Sequence, residues 1–224
     1  MQHYFSGKPE SESNPRLIEY AVGDRKLKFM TDSGVFSKSG VDRGSGLLIN
    51  TAISQGYQGK VLDLGCGYGA VGVSLLAHNP GICLLMADIN ERAVSLSTQN
   101  LEINFGLDLS GREKTNGDIA KNDANASLKA SVLLSDGFSE IKRLFPGTAF
   151  DYIYLNPPIR AGKGTVFRLY GESLGHLAKG GRLYVVIQKK QGMESTRKEL
   201  ERVFGNCERV AGKSGFGVLR SVKA

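Results

Sequence analysis

Histidine and cysteine are scarce in this chain, three of each in 224 residues. Cys66, Cys83 and Cys207 stand far apart, form no Cys-x-x-Cys pair, and are odd in number. They read as reduced thiols, which places the protein in the cytoplasm. His3, His78 and His176 show no ligand spacing, so no metal site is expected. Long apolar runs are missing too; none approaches the roughly 18 residues that a membrane-spanning helix needs. The opening MQHYFSGKPESESN is polar and has no signal-peptide core, so export is not expected.

Acidic residues are in the minority, 22 against 29 lysines and arginines, which gives a net charge of +7 and a pI near 9.3. That excess favours an acidic partner, nucleic acid first, although a basic soluble surface accounts for it as well. Core-forming residues are present in ordinary amounts. With 41% hydrophobic and 23% charged residues, the chain suits one soluble globular domain.

Residues 1–24 are polar, with Pro9, Pro15 and Gly23, and predict an irregular arm ahead of a single domain over 25–224. RKLKFMTD then alternates at strand period through Leu27 and Phe29, and GLLINTAI begins a helix that breaks at 55–59. From Lys60 the pattern becomes short apolar runs (VLDL, ICLLMAD, SVLLSD, DYIYLN, RLYVVIQ) separated by helical stretches. In the stretch after DYIYLN, Val166, Tyr170, Leu174 and Leu177 fall on one helical face. Continuous apolar strands between helices predict a parallel sheet covered on both faces. The fold expected is an open, doubly wound, mostly parallel α/β sheet of Rossmann-like type. CERVAG and FGVLRSV are separated by only Lys213, Ser214 and Gly215, which permits an antiparallel hairpin at the C-terminus and no crossover. The polar stretch 107–129 breaks the rhythm and reads as a surface-loop insertion.

Four corners carry the chemistry. VLDLGCGYGAVG, 61–72, sits at the first strand–helix turn, where glycines let the backbone turn tightly and approach a ligand. Taken as Gly65-x-Gly67-x-x-Ala70 it resembles a dinucleotide fingerprint. Taken as Asp-x-Gly-x-Gly-x-Gly it resembles the first motif of class I S-adenosylmethionine methyltransferases. Asp63 favours the second, because an acid there repels a pyrophosphate and takes the ammonium of an amino-acid moiety. Asp88 closes the second strand of that series, about 20 residues on, where a carboxylate accepts from both ribose hydroxyls; capping the next helix is a compatible role. Ile89 then lies against adenine. Asp136 closes the third, where it accepts the adenine amino group or caps a helix.

The fourth corner, DYIYLNPPIRAGKG, ends a strand in two prolines that cannot continue a ladder. Asn156-Pro157-Pro158-Ile159 resembles the tetrapeptide of methyltransferases that act on planar exocyclic nitrogens. Such an amine is a poor nucleophile because its lone pair is delocalised into the ring. The Asn156 side-chain carbonyl and the Pro157 backbone carbonyl accept its two hydrogens, drive the nitrogen towards tetrahedral geometry and aim its lone pair at the methyl donor. The prolines, Pro158 included, keep both acceptors rigid.

Together, TDSGVFSKSGVDRGSGLLI (31–49), VLDLGCGYGAVGVSL (61–75), DINERAVSLSTQN (88–100), NPPIRAGKG (156–164) and VIQKKQG (186–192) resemble the small-domain RsmC-like methyltransferases, over most of 25–222. The resemblance implies the seven-stranded class I methyltransferase fold, S-adenosylmethionine as donor, and methylation of a guanine N2 amine in 16S ribosomal RNA, with free rRNA or the 30S subunit as partner. It implies that Asp63, Gly65, Cys66, Gly67, Asp88, Ile89 and Asp136 hold the donor, that Asn156 borders donor and acceptor, and that Phe36, in Gly34 to Ser37, covers the site. Ile159, Arg160, Lys163, Lys189 and Lys190, with Arg168, would then rim the acceptor pocket and meet RNA phosphates. Some members of the family carry an additional N-terminal domain where this chain has residues 1–24. The rival readings are another planar amine (adenine N6, a protein glutamine, a small molecule), a non-catalytic RNA-binding module, and a dehydrogenase.

Overall fold

The computed structural model describes residues 12–35, 40–106 and 129–224. The 107–129 insertion therefore lies outside the described residues apart from Lys129, as do residues 1–11 of the arm.

In place of an irregular arm up to Asp24, Arg16–Val22 forms a strand, β1, paired antiparallel with β2, Arg25–Thr31. Gly23-Asp24 is a two-residue hairpin turn with Gly23 at φ 56°. It ends no arm; it returns the chain along itself. Leu27, Phe29 and Thr31 are buried at the expected period of two, while Leu17, Glu19 and Ala21 face outward.

The main sheet contains β3 (Lys60–Leu64), β4 (Cys83–Asp88), β5 (Lys129–Leu134), β6 (Phe150–Leu155), β7 (Leu177–Gln188), β8 (Glu208–Lys213) and β9 (Phe216–Val222), in the order β5-β4-β3-β6-β7-β9-β8. The first five are mutually parallel; β9 inserts antiparallel between β7 and β8. This is the expected doubly wound sheet with its C-terminal hairpin. The helices are α1 (Arg43–Gln55), α2 (Ala70–His78), α3 (Glu91–Phe105), α4 (Ser139–Leu144), α5 (Lys163–His176) and α6 (Met193–Phe204).

Both faces of the sheet are covered, which is why its strands read as unbroken apolar runs. Alternation along each strand divides the core. Val61, Met86, Tyr154 and Tyr184 face α1, α2 and α3, whereas Leu62, Leu64, Ile153, Leu155 and Val185 face Val166 and Tyr170 of α5 and Leu200 of α6. Of the face predicted for α5, Val166, Tyr170 and Leu177 are buried; Leu177 has already left the helix and begins β7.

The hairpin is fixed to the sheet layer through side chains that imitate a strand. Asn100 on α3 accepts from the Met30 amide (2.6 Å) and donates to the Met30 carbonyl (3.0 Å) and the Tyr68 carbonyl (2.8 Å). Asn104, one helical turn later, accepts from the Lys28 amide (3.0 Å) and donates to its carbonyl (2.7 Å). Four helical residues rise about 6 Å and two strand residues rise about 6.6 Å, so the spacings match.

Asn100 is fully buried, and Asn100→Ala strands the Met30 and Tyr68 backbone groups without partners. It is expected to lower unfolding free energy by about 3 kcal/mol in urea titration, and Asn104→Ala, at an exposed contact, by under about 1 kcal/mol. Equal, small losses would show that the surrogate rungs contribute nothing.

Candidate active site

The strand order reverses between β3 and β6, so the helices that follow them diverge and leave a crevice at the shared C-terminal edge. A cavity of about 720 Å³ occupies it. One wall is the turn from β3 to α2. The Gly65 and Cys66 amides both donate to the Ala87 carbonyl (2.8 and 3.0 Å), and Ser97 of α3 donates to the Gly67 carbonyl (2.7 Å). Gly65 and Gly67 adopt φ 69° and 58°, and a Cβ at either would meet no protein atom within 4 Å. Glycine is thus needed for the left-handed turn, and the space beyond the backbone stays open for a ligand.

The three acids differ in what already holds them. Asp63, 3% exposed, accepts from the Gly72 amide at 2.8 Å. Burial pushes its carboxyl up to about 7 against the pull of that hydrogen bond, with the charge of Asp88 adding to the rise. Asp88 accepts from the Gly67 and Asn90 amides (both 2.9 Å) and is also raised by burial. It does not cap α3; Asn90 does, accepting from the Arg92 and Ala93 amides. A buried and a half-buried carboxylate beside an open cleft make a site suited to a cationic or hydroxyl-rich ligand. Asp136 also lines the cavity, yet its Oδ1 is paired with Arg168 at 2.5 Å. It does not cap α4 through its side chain either; the Ser135 hydroxyl accepts from the Glu140 amide instead.

Across the crevice, β6 ends at Leu155 and the Asn156-Pro157-Pro158 corner follows. Its Asn156 Nδ2 donates to the Ser45 hydroxyl at 3.1 Å, which leaves the side-chain carbonyl as the group free to accept. Pro157 and Pro158 both line the cavity. The Pro157 carbonyl accepts from the Ile159 amide at 2.8 Å, with Pro158 at φ −74° and ψ 75°, an inverse γ-turn. One lone pair of that carbonyl is therefore already used, and one remains.

Ile89, Ile159 and Arg160 line the cavity as expected, but Lys163, Lys189 and Lys190 do not; they lie exposed, at the start of α5 and in the turn after β7. Arg168 lines it with its charge matched by Asp136 and by Glu172 (3.3 Å), so it is not the open phosphate contact that its position in sequence suggests. Phe36 lies outside the described residues. Asp42, Arg43, Ser45, Thr165, Gln191 and Phe216 line the cavity and were not anticipated. Of these only Asp42 carries a readable signal, an Asx residue before a helix, and it caps α1 through the Gly44 and Ser45 amides (2.8 and 3.1 Å).

Cys66 is buried, its thiol pushed up by burial and in contact with the Ser97 hydroxyl at 3.4 Å; a protonated thiol there supplies no nucleophile. Among the described residues no His, Cys, Asp and Glu grouping could hold a metal ion, and no helix is long and apolar enough to cross a membrane.

The profile of the family described as "Methyltransferase small domain" matches residues 26–220. The "Uncharacterized protein YbxB" of Bacillus subtilis is 36% identical over 222 residues, 99% of this chain and 98% of that protein. Ribosomal RNA small subunit methyltransferase C of Cronobacter sakazakii is 33% identical over 218 residues, 96% of this chain and 54% of the relative. Among solved structures, the T. thermophilus 16S rRNA N2 G1207 methyltransferase (RsmC), in complex with AdoMet and guanosine, superposes with a TM-score of 0.74 at 25% identity, covering 96% of this chain and 52% of that one. This chain thus spans about half the length of the two ribosomal RNA methyltransferases and nearly all of the B. subtilis protein.

Asp63 generates a prediction about pH. A folded carboxyl at about 7 against an ordinary 3.8 binds its proton more tightly than the unfolded chain does, so it costs stability as pH rises between those values. Asp63→Asn removes this titration and keeps an acceptor for Gly72. From pH 5 to pH 8, the stability difference between variant and wild type, without ligand, should move in the variant's favour by on the order of 2 kcal/mol in urea titration. A difference constant with pH would show that the buried carboxylate ionises without cost.

Proposed function

This chain belongs to the methyltransferase small-domain family, and on that basis we propose that it transfers a methyl group from S-adenosylmethionine to the exocyclic N2 amine of a guanine in 16S ribosomal RNA. The donor supplies an electrophilic methyl carbon on a sulfonium. The residues present fit it. The open space over Gly65 and Gly67 admits a close ligand, the Asp88 carboxylate ending β4 accepts from ribose hydroxyls, and the buried Asp63 offers its charge to the ammonium. A cavity of about 720 Å³ has room for a nucleoside donor and a flat base together.

The observation that carries the reading is the Asn156 amide, whose nitrogen is committed to Ser45 and whose carbonyl oxygen is left to accept from a substrate N–H. With the remaining lone pair of the Pro157 carbonyl, it accepts both hydrogens of a planar amine and turns the nitrogen lone pair out of the ring. The amine nitrogen forms its bond to the methyl carbon as the carbon–sulfur bond breaks, leaving a neutral thioether. The nitrogen then sheds one proton to solvent, so no strong base is required. Arg43 and Arg160 at the cavity and the exposed Lys163, Lys189 and Lys190 around it form a cationic rim for RNA phosphates, with binding that weakens as salt rises. An adenine N6 or protein-glutamine acceptor is the second reading. The aliphatic Ile159 at the fourth position, where those enzymes usually place a stacking aromatic, speaks against it.

Labelled S-adenosylmethionine, incubated with 30S subunits and 16S rRNA from a strain lacking the enzyme, should mark a guanine, identified as N2-methylguanosine by mass spectrometry; DNA and release factors should stay unlabelled. Asn156→Ala should lower turnover about 10²-fold or more while donor affinity measured by calorimetry is nearly kept. Absence of label on every RNA, with donor binding intact, would overturn the assignment.

A further inference from the structure

We propose that Ser45 is a positioning residue for methyl transfer, holding the Asn156 amide by its nitrogen so that its carbonyl oxygen is left for the acceptor. The proposal rests on the reading of Asn156 as the clamp for the acceptor amine. An amide has two nearly isosteric orientations, related by a half-turn about its last torsion. One presents an oxygen to the cavity and accepts an amine hydrogen. The other presents N–H groups to N–H groups, a contact with two donors and no acceptor.

Nothing in the Asn-Pro-Pro sequence selects between them, and the prolines hold only the backbone. The amide is held as it stands by a residue 111 positions earlier, whose hydroxyl oxygen takes one of its N–H groups. Ser45, 6% exposed, lies in the first turn of α1, and its hydroxyl oxygen receives Asn156 Nδ2 at 3.1 Å. Its own place is fixed from two sides. Asp42 accepts from the Gly44 and Ser45 amides, and Gly44 packs so closely on the ring of Phe216 in β9 that a Cβ there would come within 3.2 Å. A capped helix end and a strand thus locate one oxygen, which holds the amide nitrogen away from the substrate. Because Ser45 lines the same cavity as Asn156, the contact lies at the site and not in the core behind it.

Ser45→Ala removes the oxygen and keeps a good helix former. Its turnover should fall about tenfold while donor affinity and thermal midpoint hold, a loss confined to kcat. The second measurement needs no turnover. In ¹⁵N–¹H spectra the Asn156 side-chain amide signal, identified by its disappearance in Asn156→Asp, should move in Ser45→Ala and lose protection against hydrogen exchange. An unmoved, equally protected signal would overturn the proposal, as would unchanged kcat in an active enzyme, or a fall in donor affinity parallel to that in kcat. If the wild type methylates no RNA, the proposed function fails by itself, and the amide signal still decides whether Ser45 orients Asn156.

Discussion

Strands β3 and β6 lie side by side, yet the chain leaves β3 towards β4 and leaves β6 towards β7, so no crossover helix closes the edge they share. Everything at the site depends on that divergence. Asp63 is the penultimate residue of β3 and Asn156 directly follows β6; the pleat puts both on the face covered by α1 and α2, with Asp63 opposite Tyr154. A slip of one residue in either strand would send its polar group to the opposite face, which packs on Val166, Tyr170 and Leu200, so the register of the sheet and the geometry of the cleft are one constraint.

The cleft is assembled by polar contacts that satisfy the backbone first and leave selected atoms over. The glycine turn is held from behind by the Ala87 carbonyl, Asp88 and Ser97, and Asn156 is held from the side by Ser45. Burial raises the carboxyls of both Asp63 and Asp88, a cost that a cation placed against them offsets. The rim is built differently. Arg168 is neutralised by neighbouring acids, whereas Arg160 and the lysines after β7 have no such counter-charge among the described contacts.

The strands, the glycine turn and the proline corner were legible because each is a local pattern: an apolar run, a left-handed turn, a pair of residues that cannot donate. The placement of Asp88 beside the glycines followed from spacing alone. Residues whose role arises from meeting something distant were not legible. Ser45 is a serine in an ordinary helix start until β6 brings Asn156 to it, and Arg168 looks like a free cation until α5 lays it on Asp136. β1 was missed for a related reason. Its alternation is diluted by the outward-facing Leu17, and its pairing partner is recognisable only if Gly23-Asp24 is read as a turn.

The two asparagine rungs between α3 and β2 grip main-chain atoms only. The rungs themselves are therefore indifferent to the side chain at Lys28, which is exposed, whereas Met30 also packs against the core. A foreign two-stranded ribbon of the same register, grafted in its place, would inherit the asparagine rungs from the helix and would have to supply only the buried row of Val22, Leu27 and Phe29.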